Sequence, residues 1–246
     1  MNPYESARMV ADYLFFHYAD FAEAARGLPV PESAWGFPRR VVAGLLDSST
    51  PLQRALDLGC AVGGSSFELS KSAASVVGVD FSRAFIDAAL ALQKSGSLGA
   101  EVALEGARKQ AFQARVDALT HRERVEFRVG DAMSLPEDLG VFEVVLAANL
   151  VCRLPDPARF LKEIADRVAP GGQLLLATPF SWLEEFTTPG LWLGGAPASG
   201  ESFHVMRDLL HPCFELEHTV DIPFLIREHG RKFQYGISLG SRWRRR

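Results

Sequence analysis

The sequence predicts an α/β fold in which a mostly parallel, seven-stranded sheet is flanked by helices and preceded by a helical cap. Three observations predict it. From residue 54 onward, short runs of β-type residues alternate with runs at helical spacing, the pattern of βαβ units. The strand tips in this alternation end on glycines or carboxylates, at Gly59, Asp80 and Asp131. The composition, 48% hydrophobic and 23% charged, is that of a chain with a core to fill. One domain over residues 1–246 accommodates all of it, with a helical cap at 1–50 and an inserted helical segment at 95–124. Residues 179–212 supply a loop and helix on the substrate side.

Taken in order, Val10, Leu14, Phe15, Tyr18, Phe21 and Ala25 recur at helical spacing and predict a helix over 4–26 that stops at Gly27-Leu28-Pro29. Pro38 opens a second helix, with Val41, Val42, Leu45 and Leu46 on one side. Strands are expected at 54–58, 75–80, 125–129, 143–148 and 173–178, and helices at 63–71, 82–94 and 157–168. The stretch 95–124 is longer than a crossover needs, and 101–119 reads as an added helix. After Pro179, an aromatic- and glycine-rich loop leads to a helix near 201–210. Strands at 214–221 and 231–239 then close the sheet. The basic run Arg242-Trp243-Arg244-Arg245-Arg246 reads as a solvated tail.

A net charge of −4 argues against nucleic acid as a partner, because neutralising phosphates takes a broad basic face. Cys60, Cys152 and Cys213 lie far apart and are odd in number, so neither a disulfide framework nor a zinc site is expected. That fits a reducing, cytoplasmic setting. No basic-then-apolar leader opens the chain and no apolar run approaches the roughly 18 residues of a span, so no membrane partner is expected.

Asp57-x-Gly59-x-x-x-Gly63 sits where a buried strand turns into a helix, and glycines there let the backbone approach a ligand. Alone, the motif also suits a plain strand-to-helix turn. Asp80, at position 80 against Gly59, ends the neighbouring strand, where a carboxylate roughly 20 residues downstream accepts both ribose hydroxyls. Gly130-Asp131-Ala132 ends a third strand, where a carboxylate can accept an adenine amino group. A nicotinamide site would show Gly-x-Gly-x-x-Gly; here Ala61 takes the intermediate position, and Asp57 offers an anion to an ammonium group. Both features favour S-adenosylmethionine. The candidate cofactor residues are Arg40, Asp57, Gly59, Cys60, Ala61, Gly63, Asp80, Phe81, Asp131, Ala132, Asn149 and Leu150. Cys60 reads as a small lining residue rather than a redox group.

Together with Pro170-Gly171-Gly172, these motifs resemble the class I S-adenosylmethionine-dependent methyltransferases, which implies a Rossmann-like sheet. Longer words narrow the resemblance. Tyr4-Glu5-Ser6, Tyr13-Leu14-x-Phe16-His17-Tyr18, Phe37-Pro38-x-Arg40 and Ser65-Ser66-Phe67-Glu68-Leu69 resemble the 4-mercaptohistidine (5-thiohistidine) N1-methyltransferases of ovothiol biosynthesis. Leu146-Ala147-Ala148-Asn149-Leu150, Ser181-Trp182-Leu183-Glu184-Glu185-Phe186-Thr187, Trp192-Leu193-Gly194-Gly195, Pro223-Phe224-x-Ile226-Arg227-Glu228 and Arg231-Lys232-Phe233-Gln234 continue it. Two departures stand out: in that family the domain is often fused to a sulfoxide synthase, and 96–124 differs in length and content.

The resemblance implies methylation of an imidazole nitrogen on 5-thiohistidine or 5-selenohistidine, with a separate enzyme installing the thiol or selenol. Such a transfer is an in-line displacement that rests on positioning and uses neither a metal nor a covalent nucleophile. The attacking nitrogen must be unprotonated, so the site must select a tautomer or accept a proton. Asn149, His17 and Tyr4 are the catalytic candidates: Asn149 at a strand tip, His17 as proton acceptor, Tyr4 in a lid that excludes water. An amino-acid acceptor wants a cation for its carboxylate and an anion for its ammonium. Arg227, Arg231 or Arg153 can supply the first and Glu184 or Glu185 the second, with Tyr13, Phe16 and Trp182 as aromatic walls. A methyltransferase for an unrelated metabolite and an inactive cofactor-binding subunit are the competing readings.

Overall fold

The computed structural model describes residues 3–49, 51–195 and 200–246. Two helices, α1 (Ala7–Tyr18) and α2 (Phe21–Ala25), replace the single one expected over 4–26. Ala19 and Asp20 are extended between them, and the Ala19 N–H closes α1 on the Phe15 carbonyl. Ser6 caps the start of α1 by accepting from the Met9 N–H, which satisfies one of the orphan donors of the first turn. α1 buries Leu14, Phe15 and Phe16, so it is part of the core rather than a detachable flap. Helix α3 (Phe37–Leu45) starts one residue before Pro38, which sits in its first turn, and buries Val41, Val42 and Leu45.

The sheet follows in βαβ order. Its parallel part comprises β1 (Leu52–Leu58), α4 (Gly64–Leu69), β2 (Ala73–Asp80) and α5 (Arg83–Ser95). A two-stranded insertion, β3 (Ser97–Glu105) and β4 (Arg108–Arg115), precedes β5 (Val125–Val129). Then come β6 (Phe142–Ala148), α6 (Pro157–Glu163), β7 (Val168–Thr178) and α7 (Ser202–Leu210). The last pair is β8 (Phe214–His229) and β9 (Lys232–Arg245). Strand order is β5-β2-β1-β6-β7-β9-β8, and β9 runs antiparallel to both of its neighbours. The central strands are buried on both faces, as parallel strands covered by helices must be. Phe67, Val41 and Phe15 fill the core on one face, and Phe160, Leu210 and Trp243 on the other. Among the described residues no helix is long and apolar enough to cross a membrane.

Two expectations are corrected. Residues 101–119 are not a helix: 97–115 form an antiparallel hairpin lying outside the main sheet. Only Val102, Phe112 and Ala114 are buried there, a period-two pattern, and Gly106 turns the chain at φ +54°. Phe112 packs edge-on against Phe15 of α1, with ring centroids 4.9 Å apart. The basic run is not a solvated tail either. It ends β9, with Trp243 buried, Arg242 on Glu217 and Arg244 on Glu217 and Asp47.

Candidate active site

The tips of β1, β2, β5 and β6 converge on a cavity of about 590 Å³, at the sheet edge where open α/β folds take their ligands. Beyond β1 the chain turns through left-handed Gly59 (φ +71°) and Ala61 (φ +48°). That turn aims the Gly59 and Cys60 N–H groups at the Val79 carbonyl, at 2.8 and 3.1 Å. It also aims the Ala61 N–H at Asp80 Oδ2, at 2.8 Å, while the Ser82 N–H donates to Asp80 Oδ1 at 2.8 Å. The Asp80 carboxylate is thus fixed from both sides, and each oxygen keeps a lone pair for a ligand hydroxyl. Burial raises its pKa in spite of those bonds.

Asp57 is only 2% exposed, accepts the Ser66 hydroxyl at 2.6 Å, and is pushed up to about 7 by burial. Asp131 accepts from the Met133 N–H at 2.8 Å and lines the cavity with Ala132 and Leu150. Phe81 stands beside them 67% exposed, an aromatic face open to a ligand. Gly63 supports the cradle from behind: a Cβ there, at φ +87°, would lie 2.6 Å from Phe127 Cζ. Arg40 is not in the cavity wall. It donates to the Pro223 carbonyl at 2.6 Å, because α3 lies across β8 and turns the side chain that way.

The opposite wall is aromatic. Tyr4, in a short 3-10 turn, stacks on Phe186 (6.3 Å) and meets Tyr13 edge-on (6.0 Å), while Tyr13 packs on Phe85 at 4.7 Å. Phe16 completes this wall, and Phe37, stacked on it, closes it on the α3 side with Pro38. The N-terminal segment is pinned there. The Glu5 carboxylate accepts the Arg83 and Ala84 N–H groups at 3.0 and 3.3 Å, and Ser82 Oγ donates to the Tyr4 carbonyl at 3.0 Å. An anion on the exposed N–H groups of α5 is a favourable end contact.

His17 reaches the cavity, but not as a base. Its Nδ1 accepts the Gly64 N–H at 3.2 Å, so the neutral ring carries its proton on Nε2, and burial lowers its pKa to about 3. Burial also raises the phenols of Tyr4 and Tyr13, Tyr4 against the opposing pull of Arg153. A pH dependence follows from His17. Between its ordinary value of 6.5 and about 3, the unfolded chain binds a proton that the folded chain does not. Stability is therefore full above that range and is lost on acidification through it, at up to ~1.4 kcal/mol per pH unit. His17→Gln is expected to flatten the slope. Urea unfolding at several pH values between 7 and 5 measures it, and an unchanged slope would contradict the locked neutral ring.

Asn149 ends β6 in the left-handed region (φ +55°), with its N–H on the Ala177 carbonyl at 2.7 Å and its Oδ1 accepting the Ser238 hydroxyl at 2.7 Å. Arg153 follows it. One guanidinium nitrogen donates to the Ser181 and Cys152 carbonyls at 2.8 and 3.1 Å, and the group lies 5.0 Å over the Phe186 ring beside Tyr4. Glu185 lines the cavity and Glu184 does not. Trp182 is also outside, where its Nε1 donates to Ser202 Oγ at 3.0 Å and ties the loop to α7.

Arg227 and Arg231 are carried away from the site, because β8 and β9 run on to the inserted hairpin, where Gly230 N–H donates to the Leu104 carbonyl. Arg227 is 5% exposed, donates to Gln110 Oε1 at 2.9 Å and lies 4.8 Å over the Phe15 ring, clamping the hairpin to α1. Arg231 occupies the β8–β9 turn, with its N–H on His229 Nδ1 at 3.2 Å. Tyr18 is a strut for the cradle: its hydroxyl donates to the Val62 carbonyl at 2.7 Å. Sequence reasoning missed Glu5, Phe85, Phe186 and Ser238 as parts of the site. Phe186 lay inside a recognised word, whereas Ser238 carried no signal at all.

A methyltransferase-domain family model matches residues 56–176. Over 128 residues the chain is 30% identical to the chloroplastic tocopherol O-methyltransferase of Arabidopsis thaliana, an alignment covering 52% of this chain and 30% of that protein. Over 126 residues it is 28% identical to a ubiquinone biosynthesis O-methyltransferase of Coxiella burnetii, covering 51% of this chain and 43% of that one. Both alignments span less than half of the relative's own length. In fold, the chain is similar to the N-methyltransferase NodS of Bradyrhizobium japonicum WM9 in complex with S-adenosyl-l-homocysteine. The TM-score is 0.56 and the identity 15%, over 96% of this chain and 98% of that one. The matched residues, the strand order and the carboxylate-bearing tips agree: residues 56–176 carry a methyltransferase domain of the class I, S-adenosylmethionine-dependent type, within a Rossmann-like fold.

Proposed function

We propose that the protein is an N-methyltransferase that moves the methyl group of S-adenosylmethionine to an imidazole nitrogen of 5-thiohistidine or 5-selenohistidine. One observation carries the choice of nitrogen over oxygen. Among the described residues, the aromatic wall offers no free base: His17 Nδ1 spends its lone pair on the Gly64 N–H, and burial keeps the Tyr4 and Tyr13 phenols protonated. An oxygen acceptor must shed a proton as it is methylated, whereas a pyridine-type nitrogen brings its own lone pair. The chalcogen-bearing ring is the acceptor implied by the words from Tyr4 to Gln234, and a separate enzyme would install the chalcogen. Support for a small amino-acid acceptor comes from the cavity lining, which carries, among the described residues, the cation Arg153 and, beyond the three strand-tip carboxylates, the carboxylate Glu185.

The cavity fits the cofactor on its own terms. Its tips offer two fixed carboxylates, a buried acidic group and backbone turned outward by left-handed residues. Asp80 would hold the ribose hydroxyls and Asp131 the adenine amino group, and Phe81 offers an exposed aromatic face to the adenine. Asp57 faces the ammonium end, where a cation would draw its raised pKa back down. Cys60, Ala61, Ala132 and Leu150 form the walls. When bound, the cofactor supplies an electrophilic methyl group whose leaving partner is a neutral thioether. The protein's part is placement, bringing the ring nitrogen to roughly 3 to 3.5 Å from that carbon. Arg153 holds the acceptor carboxylate and Glu185 its ammonium. Tyr4, Tyr13, Phe16 and Phe186 exclude water. His17 keeps its proton on Nε2 and acts only as a donor. Asn149 stands at the junction of the two halves.

A methyl-transfer assay with 5-thiohistidine, 5-selenohistidine and histidine side by side tests the assignment, with the modified atom located by NMR. Ring-nitrogen methylation of a chalcogen-bearing histidine, and little of histidine, is the expected result. If S-adenosylmethionine binds and none of the three is methylated, the acceptor is wrong.

A further inference from the structure

We propose that Ser238 is a positioning residue for the transfer step: from β9 it decides which end of the Asn149 side-chain amide faces the cavity. Asn149 lines the cavity at the end of β6, where its left-handed backbone (φ +55°) takes it off the strand direction. Its main chain is held by the Ala177 carbonyl at 2.7 Å and its side chain by the Ser238 hydroxyl, which donates to Oδ1 at 2.7 Å. Ser238 is 0% exposed and lies just beyond the Thr178–Leu239 pair, the last rung joining β7 to β9. Among the described residues, Asn149 Oδ1 is the acceptor to which that buried hydroxyl is bonded.

The two ends of a carboxamide are almost equal in shape and opposite in chemistry. With Oδ1 committed to Ser238, the end left for the cavity is the NH₂, a double donor. Turning the amide over would strand the hydroxyl proton in a dry site without an acceptor, which a buried polar group tolerates poorly. Asn149 is thereby set to grip a lone pair, such as a carboxylate or chalcogenide of the acceptor or an oxygen of the cofactor. It is set against gripping an N–H. This inference rests on the cavity being the methyl-transfer site.

A double-mutant cycle over Ser238→Ala and Asn149→Ala tests it, with Ser238→Thr as the conservative variant and Ser238→Cys as a second replacement should alanine unfold the protein. Ser238→Ala is expected to lower kcat about tenfold, the effect of one lost hydrogen bond, with KM for the acceptor and affinity for S-adenosylhomocysteine changing less than about twofold. Ser238→Thr should restore kcat, and Ser238→Ala should have no further effect once Asn149 is alanine. Independently of turnover, the side-chain ¹⁵NH₂ resonance of Asn149, identified by its loss in Asn149→Ala, should shift in Ser238→Ala. Additive rate effects, or an Asn149 amide resonance that does not move, would overturn the proposal. Should no acceptor be methylated by the unaltered protein, the acceptor assignment fails while the resonance still decides the role of Ser238.

Discussion

Asp80→Ala is expected to weaken binding of S-adenosylmethionine by about 100-fold. The carboxylate is held by the Ala61 and Ser82 N–H groups and so stands ready without reorganisation. Removing it deletes two charge-assisted bonds to the ribose, about 3 kcal/mol in all, and each 1.4 kcal/mol is tenfold in affinity. The fold should survive, because burial already disfavours the charge there, as the raised pKa records. Calorimetric titration with S-adenosylhomocysteine gives the affinity. An unchanged Kd would remove Asp80 from the ribose site and take the cradle reading with it. Asp80→Asn, which keeps one acceptor oxygen, should fall between the two.

Arg153→Leu should lower kcat/KM for the amino-acid acceptor by a similar factor while leaving cofactor affinity alone. Truncating one partner of a hydrogen-bonded charge pair typically costs 2–5 kcal/mol, and the half-buried setting of Arg153 places it near the lower end, about 2–3 kcal/mol, or roughly 30- to 150-fold. Arg153→Lys should recover only part of this. A compact ammonium keeps the charge but neither stacks on Phe186 nor forks a carboxylate. Steady-state kinetics at saturating cofactor separates these outcomes, and an acceptor KM indifferent to both substitutions would discard Arg153 as the anchor.

What could be read from the sequence was what depends on neighbours along the chain. Asp57, Gly59, Asp80 and Asp131 terminate strands, and a strand's direction follows from its own residues, so their convergence at one sheet edge was legible. Residues 101–119 misled because their alanines, glutamines and basic residues favour helix locally. The alternation around Val102 and Phe112 prevailed once α1 offered them a partner. Charge type alone could not separate Arg153 from Arg227 and Arg231, since only the overrun of β8 and β9 toward the hairpin distinguishes them. His17 lines the cavity, but its Nδ1, the lone pair a proton acceptor would use, is engaged by the Gly64 N–H. Its tautomer is decided by a Gly64 N–H 47 residues away, just as the amide of Asn149 is decided by a serine 89 residues away.

The order β7-β9-β8 has a consequence for how the molecule assembles. β8 joins the main sheet only through β9, so its 16 residues have no sheet partner until residues 232–245 have been made and threaded between β7 and β8. β8 and β9 pair as a local hairpin, but the docking of β9 on β7 is non-local and slow, because loop closure precedes any reward from contact. Folding of the parallel strands can begin on the ribosome. The Ser238 contact to Asn149 belongs to the closing step, so the capacity for methyl transfer should arise late in refolding, after the cofactor cradle has already formed.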